Sequence, residues 1–285
     1  MPGHNSHHII GFYGKVLSAS ASSQRYGMDR STPYRKQFQM QEGSPLVFTD
    51  FRDPDIADGS IAYHPVFGDV RYKSSWRFST ERFISDLKAA DANPAITAHL
   101  IHVDSCGGEA FGCHEAFTAV RSLSKPCYGL IDSVAASAGY YLVAGAKRIY
   151  ASSMFSEIGC IGIMSVMVDD TEMLKKWGLE EHEYYSNYSP LKNKVFNDAR
   201  HGNGEEFVKR FLDPYAFQFI DDIRSARKKI SEEALQGETY YAADAMPAGL
   251  IDGEASLEEV VGMISEAAKP KQSTAPAIDI NKFNF

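Results

Sequence analysis

The chain has 285 residues, 44% of them hydrophobic and 23% charged, with a formal net charge of −8. That is an ordinary globular composition, and length alone permits one large or two small domains. The acidic balance argues against a general phosphate-backbone binder, and no apolar run approaches the ~18 residues of a membrane span. Cys106, Cys113, Cys127 and Cys160 form no CxxC pair and no zinc-like spacing with the histidines. They read as reduced, buried or incidental thiols, and no metal or cofactor is expected.

Residues 1–58 read as an N-terminal arm, polar and weakly periodic, with His4, His7 and His8 followed by a serine-rich stretch and scattered Arg and Lys. A solvated arm, or one that docks on a neighbouring subunit or is removed by self-cleavage, fits that pattern. The run from Ile9 to Ala21 is interrupted by Lys15 and preceded by no Lys or Arg, which disfavours a secretory leader. A soluble, cytoplasmic protein is the expectation.

Regular periodicity begins near Ser60. Ile61 to Val70 reads as a strand. Ser79 is a candidate N-cap for a helix with Phe83, Ile84 and Leu87 on one face. Pro94 to Val103 is the next strand and Glu109 to Leu123 the next helix. Pro126 to Ile131 and Arg148 to Ala151 are strands around a helix that follows Ser137. Ile158 to Val168 reads as a glycine-interrupted strand, Asp170 to Trp177 as a short helix and Glu205 to Lys229 as a long one. Strands alternating with helices imply an α/β fold with right-handed crossovers. Residues 59–268 form the expected domain, and 269–285 a Pro-containing linker with an apolar tail.

Two junctions carry candidate chemistry. In Asp104-Ser105-Cys106-Gly107-Gly108 an apolar strand ends in a tight Gly-Gly turn. In Ala135-Ala136-Ser137-Ala138-Gly139-Tyr140-Tyr141 a hydroxyl sits among small residues where strand gives way to helix. Small neighbours let a substrate backbone approach, and backbone N–H groups at such a junction can face developing negative charge. Asp132 and Ser133 read as turn residues, and Tyr140 and Tyr141 as packing residues.

These motifs resemble the signal peptide peptidase A family, serine–lysine peptidases of the ClpP/crotonase superfamily, and look closest to phage members that process capsid and scaffold proteins. Asp104 to Gly108 and Ala135 to Tyr141 match two family motifs, and Ala138 replaces the first glycine after the serine. Gly159-Cys160-Ile161-Gly162 matches a third, and Gly237 to Gly253 resembles the closing one. The resemblance covers about Ser60 to Ile264. It implies a ClpP/crotonase-like fold of repeated ββα units with a helical C-terminal extension. It also implies a soluble serine endopeptidase with a Ser–Lys dyad, acting on scaffold or capsid proteins as a homo-oligomer, without nucleic acid or membrane.

Within that resemblance Ser137 is the nucleophile. No histidine lies between His114 and His182, where a ClpP-like base would stand. Long relatives split serine and lysine between two repeats, but no internal duplication is visible here, so one copy must supply both. Lys192, in Ser189-Pro190-Leu191-Lys192, resembles the base-bearing segment of the phage-type members; Lys194 is the alternative. One N–H from the Gly107-Gly108 turn and one from Ala138 are expected to form the oxyanion hole, with the Ala138 methyl narrowing the pocket. Cys160 stands where a family serine orients the lysine, and a thiol is the poorer hydrogen-bond partner. The alternatives are a crotonase-like acyl-CoA enzyme and a non-catalytic assembly protein that retains the fold.

Overall fold

The computed structural model describes residues 45–47, 51–75 and 77–269. Strands β1 (Leu46–Val47), β2 (Ser60–Phe67), β3 (Ile96–Ser105), β4 (Cys127–Ala136), β5 (Arg148–Ala151) and β8 (Gly253–Glu254) lie side by side in the order β1-β2-β3-β4-β5-β8. Every pairing along this path is parallel. Two short strands, β6 (Glu157–Gly159) and β7 (Thr239–Tyr241), pair antiparallel with each other and hang from β4. The expected α/β fold is therefore present, and the connections through helices are what parallel neighbours require.

Helix α1 (Thr80–Ala92) begins where expected: Ser79 Oγ accepts the Arg82 N–H and donates to the Tyr72 carbonyl. With α2 (Cys113–Arg121), α3 (Ala138–Ala144) and α7 (Asp213–Ala226), it covers one sheet face, burying Phe83, Leu87, Phe117, Tyr141 and Phe219 with Ile101, Val103 and Ile131. Beyond the short helix α8 (Ala242–Ala245), helix α9 (Leu257–Ala268) covers the other face through Val260 and Ile264 against Leu100 and Leu130. A capping box between Ser256 and Glu259 starts it. Burying Val260 and Ile264 stabilises this contact by ~1.5–3 kcal/mol for each side chain.

Four expectations need correction. The sheet does not stop at Ile131: β4 leaves β5 there and pairs Val134, Ala135 and Ala136 with β6. Asp132 and Ser133 are thus strand residues, not turn residues. The strand expected over Ile158–Val168 is only Glu157–Gly159, because Gly159 (φ 119°) and Cys160 (φ 53°) turn the chain out of extended conformation. The long helix over Glu205–Lys229 is broken into α6 (Glu205–Phe207), a π turn (Val208–Leu212) and α7. Pro214 has no N–H to continue the ladder, which accounts for the break. Part of the expected N-terminal arm belongs to the sheet: Leu46 and Phe51 are buried, and β1 pairs with β2. The rest of that arm up to residue 44, and the tail from residue 270, lie outside the described residues.

The sheet also buries three histidines. His64 Nε2 meets His99 Nδ1 at 3.1 Å, and His99 Nε2 meets Asp91 Oδ1 at 3.3 Å. On the opposite face His102 Nδ1 meets the Tyr63 hydroxyl at 2.7 Å. Burial holds His64 well below its ordinary value and lowers His99 and His102 to about 4. Below pH ~6.5 the unfolded chain binds protons that the folded chain refuses, so this stability is full above that pH and is lost as pH falls toward 4. Each histidine contributes up to ~1.4 kcal/mol per pH unit across the window. Urea unfolding between pH 7.5 and 4.5 should show the loss, and His99→Gln should flatten it.

Candidate active site

Strand β4 passes into α3 with one residue between them, Ser137, at φ 55° and ψ −122°. A serine in this region carries strain of ~1–3 kcal/mol. Its backbone is pinned on both sides: the Ser137 N–H donates to the Gly159 carbonyl at 2.8 Å, and its carbonyl accepts the Tyr141 N–H at 2.9 Å. The side chain is 1% exposed, and Oγ has no hydrogen-bond partner. A buried, unbonded hydroxyl costs a further ~1–3 kcal/mol. A strained backbone and an unsatisfied buried hydroxyl thus coincide at one residue.

Packing explains the small residues around it. A Cβ on Gly139 would stand 2.5 Å from the Ser105 carbonyl oxygen, so only glycine lets α3 press this closely on the end of β3. Ala138 is fully buried in the core cluster with Ala135 and Tyr141.

The Gly-Gly turn lies directly against the serine: a Cβ on Gly107 would be 3.0 Å from both Ser137 Cβ and the Ala138 nitrogen. The two glycines are not equivalent. Gly107 donates its N–H to Ser105 Oγ at 3.1 Å, and that hydroxyl donates to the Gly68 carbonyl at 2.6 Å. The chain then bridges to Val70, which donates to the Gly107 carbonyl and accepts from the Glu109 N–H, each at 2.9 Å. Neither polar group of Gly108 enters the bridge.

Lysine is not brought to this point within one chain. Lys192 is exposed, its N–H donating to the Ser189 carbonyl at 3.1 Å, and Ser137 Oγ is bonded to nothing. Lys194 opens α5 (Lys194–Arg200) and pairs through Nζ with Asp198 at 2.7 Å. Neither α4 (Thr171–Lys176) nor α5 buries a residue. Apolar side chains stand in solvent along this lobe, with Tyr188 97% and Leu191 76% exposed on either side of Ser189-Pro190. His114 is engaged elsewhere, its Nδ1 2.7 Å from Asp222 Oδ2, and that same oxygen accepts the Tyr141 hydroxyl.

Cys160 follows the glycine that holds Ser137 and donates its N–H to the Glu238 carbonyl at 2.7 Å. Burial raises its thiol above the ordinary range, while a hydrogen bond with Thr239 opposes the shift. Burial also raises Cys106, helped by the charges of Asp104, Glu157 and Asp69. Glu157 opens the short strand whose end holds the Ser137 N–H, a placement that follows only from the pairing Val134↔Glu157 and has no signal in the sequence.

The model of peptidase family S49 matches residues 119–271, which include Ser137, Cys160 and Lys192. The chain belongs to peptidase family S49. Among its relatives is a putative signal peptide peptidase SppA of Enterococcus faecium, 24% identical over 216 residues, covering 73% of this chain and 61% of that protein. Protease 4 of Haemophilus influenzae is 28% identical, covering 66% of this chain and 31% of its own length. The chloroplastic serine protease SPPA of Arabidopsis thaliana is 24% identical, with 66% and 28% covered. The chain thus spans about three-fifths of the first relative and under a third of the other two. Among solved structures, the 1510-N membrane-bound stomatin-specific protease aligns with 72% of this chain and 84% of its own at TM-score 0.43 and 14% identity. An enoyl-CoA hydratase from Polaromonas aligns with 67% of each chain at TM-score 0.41 and 16% identity. Among the described residues of this S49 chain, no helix is long and apolar enough to cross a membrane.

The turn geometry sets an expected outcome. A Cβ on Gly108 would stand 2.1 Å from the Val70 carbonyl oxygen, whereas one on Gly262 in α9 would meet nothing within 4 Å. Gly108→Ala should destabilise the protein by ~1–3 kcal/mol. Gly262→Ala should leave it unchanged or stabilise it by up to ~1 kcal/mol. Denaturant melts of the two variants beside wild type make the comparison.

Proposed function

We propose that this S49 chain is a serine endopeptidase in which Ser137 is the nucleophile and Lys192 the general base. The observation that carries the reading is Ser137 itself: strained, buried, unbonded and lying against the Gly107-Gly108 turn. In the reaction, neutral Lys192 Nζ takes the Ser137 proton as Oγ forms a bond to the scissile carbonyl carbon. The resulting oxyanion accepts the N–H groups of Gly108 and Ala138, each worth ~3–4 kcal/mol in the transition state. Collapse breaks the C–N bond, and the lysine ammonium gives its proton to the leaving amine. Water then hydrolyses the acyl-enzyme by the same route.

The base has to arrive from outside the single-chain arrangement. The lobe that carries Lys192 buries neither of its helices and holds Tyr188 and Leu191 in solvent. A homo-oligomer in which this lobe seats on a second copy buries that apolar surface and removes the lysine from water, which its role as base demands. Cys160 then serves as a neighbour of the dyad rather than a strong hydrogen-bond partner. The substrate class follows the resemblance to phage members: scaffold and capsid proteins in the cytoplasm of an infected cell. Signal peptides, as in the name of the Enterococcus relative, are the competing class. Acyl-CoA chemistry gives no reason for the burial and strain of Ser137.

A fluorophosphonate probe should label wild type at Ser137, and Ser137→Ala and Lys192→Ala should each lose peptide hydrolysis by a factor of about 10³ or more. Lys194→Ala should be much milder. Mixing Ser137→Ala with Lys192→Ala should restore part of the activity, since a shared site pairs an intact serine with an intact lysine. No restoration, with Lys192→Ala fully active, would overturn the assignment.

A further inference from the structure

One buried carboxylate touches both helices that lead away from the candidate site. Asp222, on α7, is 7% exposed and shares its helix with the fully buried Phe219 and Ile223. An ionised carboxylate only accepts hydrogen bonds. Its Oδ2 takes the Tyr141 hydroxyl at 2.5 Å and His114 Nδ1 at 2.7 Å, and its Oδ1 takes the Gln218 amide at 3.1 Å. Tyr141 belongs to α3, the helix that begins just after Ser137, and its own N–H donates to the Ser137 carbonyl at 2.9 Å. His114 belongs to α2, the helix that follows the Gly107-Gly108 turn. That turn lies against the serine, with a Cβ on Gly107 standing 3.0 Å from Ser137 Cβ. A single oxygen therefore joins the helix after the nucleophile to the helix after the turn.

We infer that Asp222 is a positioning residue of the peptidase site: through Tyr141 and His114 it holds Ser137 in place against the Gly107-Gly108 turn.

The inference rests on the peptidase reading and adds to it a residue remote from the dyad in sequence. Stability alone gives no reason for a carboxylate here. Taking a charge out of water is costly, and apolar residues of similar volume in such places often serve stability as well or better. The surroundings already supply apolar packing: Tyr141 stacks on Phe219 at 4.1 Å between centroids and lies 5.7 Å from Phe117. What the carboxylate adds is direction. A stacked ring can slide in its own plane, whereas a hydroxyl that donates to a fixed oxygen sets where the ring and its helix come to rest. Burial and the Asp222 carboxylate hold the Tyr141 hydroxyl well above its ordinary range, so it remains a donor.

The test separates geometry from stability in the full chain. Asp222→Leu removes the acceptor and keeps the volume; Tyr141→Phe removes only the hydroxyl and keeps the stack. Each should lower kcat for an internally quenched peptide by about tenfold to a hundredfold with KM little changed, the scale of a misplaced reacting group. The double variant leaves no unpaired hydroxyl in the core, so its denaturant melt should lie near wild type although its kcat stays low. Asp222→Asn should recover most of the rate, because an amide oxygen can take both donors while the Gln218 amide turns over. Hydrogen exchange gives a readout that needs no turnover: the Ser137 and Tyr141 amides should exchange faster in the double variant, and the amides of β3 should not. Full kcat in the double variant, or a loss that appears only with lost stability and is not recovered in Asp222→Asn, overturns the inference and leaves the peptidase reading standing. If wild type hydrolyses no peptide and takes no fluorophosphonate, the peptidase reading falls and the exchange comparison decides alone. Selective acceleration then upholds Asp222 as the residue that holds Ser137, and unchanged exchange overturns that as well.

Discussion

The hydrogen bond from the Ser137 N–H to the Gly159 carbonyl is the constraint on which the site depends. It ties the residue between β4 and α3 to the end of β6, and so holds a serine at positive φ that neither neighbouring element would choose. The bond exists only because β4 changes partners, pairing with β5 through Ile131 and with β6 from Val134. Were β4 to end where its apolar run ends, β6 would pair with β7 alone and would no longer lie beside Ser137 to anchor it.

The same junction is held from beneath. Gly139 lies against the Ser105 carbonyl, Ser105 Oγ occupies the Gly107 N–H, and Val70 bridges the Gly-Gly turn. Further along α3, Tyr141 donates to Asp222 and stacks on Phe219 at 4.1 Å between centroids, and Tyr140 donates to the Leu250 carbonyl. The short helix is thereby clamped to α7 and to the C-terminal segment. Strain at Ser137 is sustained by packing spread over elements more than a hundred residues apart in sequence.

Around this rigid centre the electrostatics are lopsided. Negative charge gathers at the strand ends, the arginines nearby are already paired, and the lysine that the family resemblance points to stands on a lobe with little packing of its own. The surroundings of Ser137 are fixed by the core of a single chain, whereas the lobe that carries Lys192 buries no residue of either of its helices.

The sequence by itself determined the α/β class, the positions of most strands and helices, and the two junctions at Gly107-Gly108 and Ser137. These are local properties: apolar periodicity, small residues at close approaches and glycine at turns are written within a few residues of where they act. Only the tertiary structure decided that Gly107 spends its N–H on Ser105 Oγ, and that Glu157 pairs with Val134 on the strand that leads to Ser137. It also decided that Asp132 and Ser133 belong to a strand, and that Lys192 stands apart from Ser137 within one chain. Each of these turns on which distant segment pairs with which, and strand pairing leaves no signature in the residues of either strand alone.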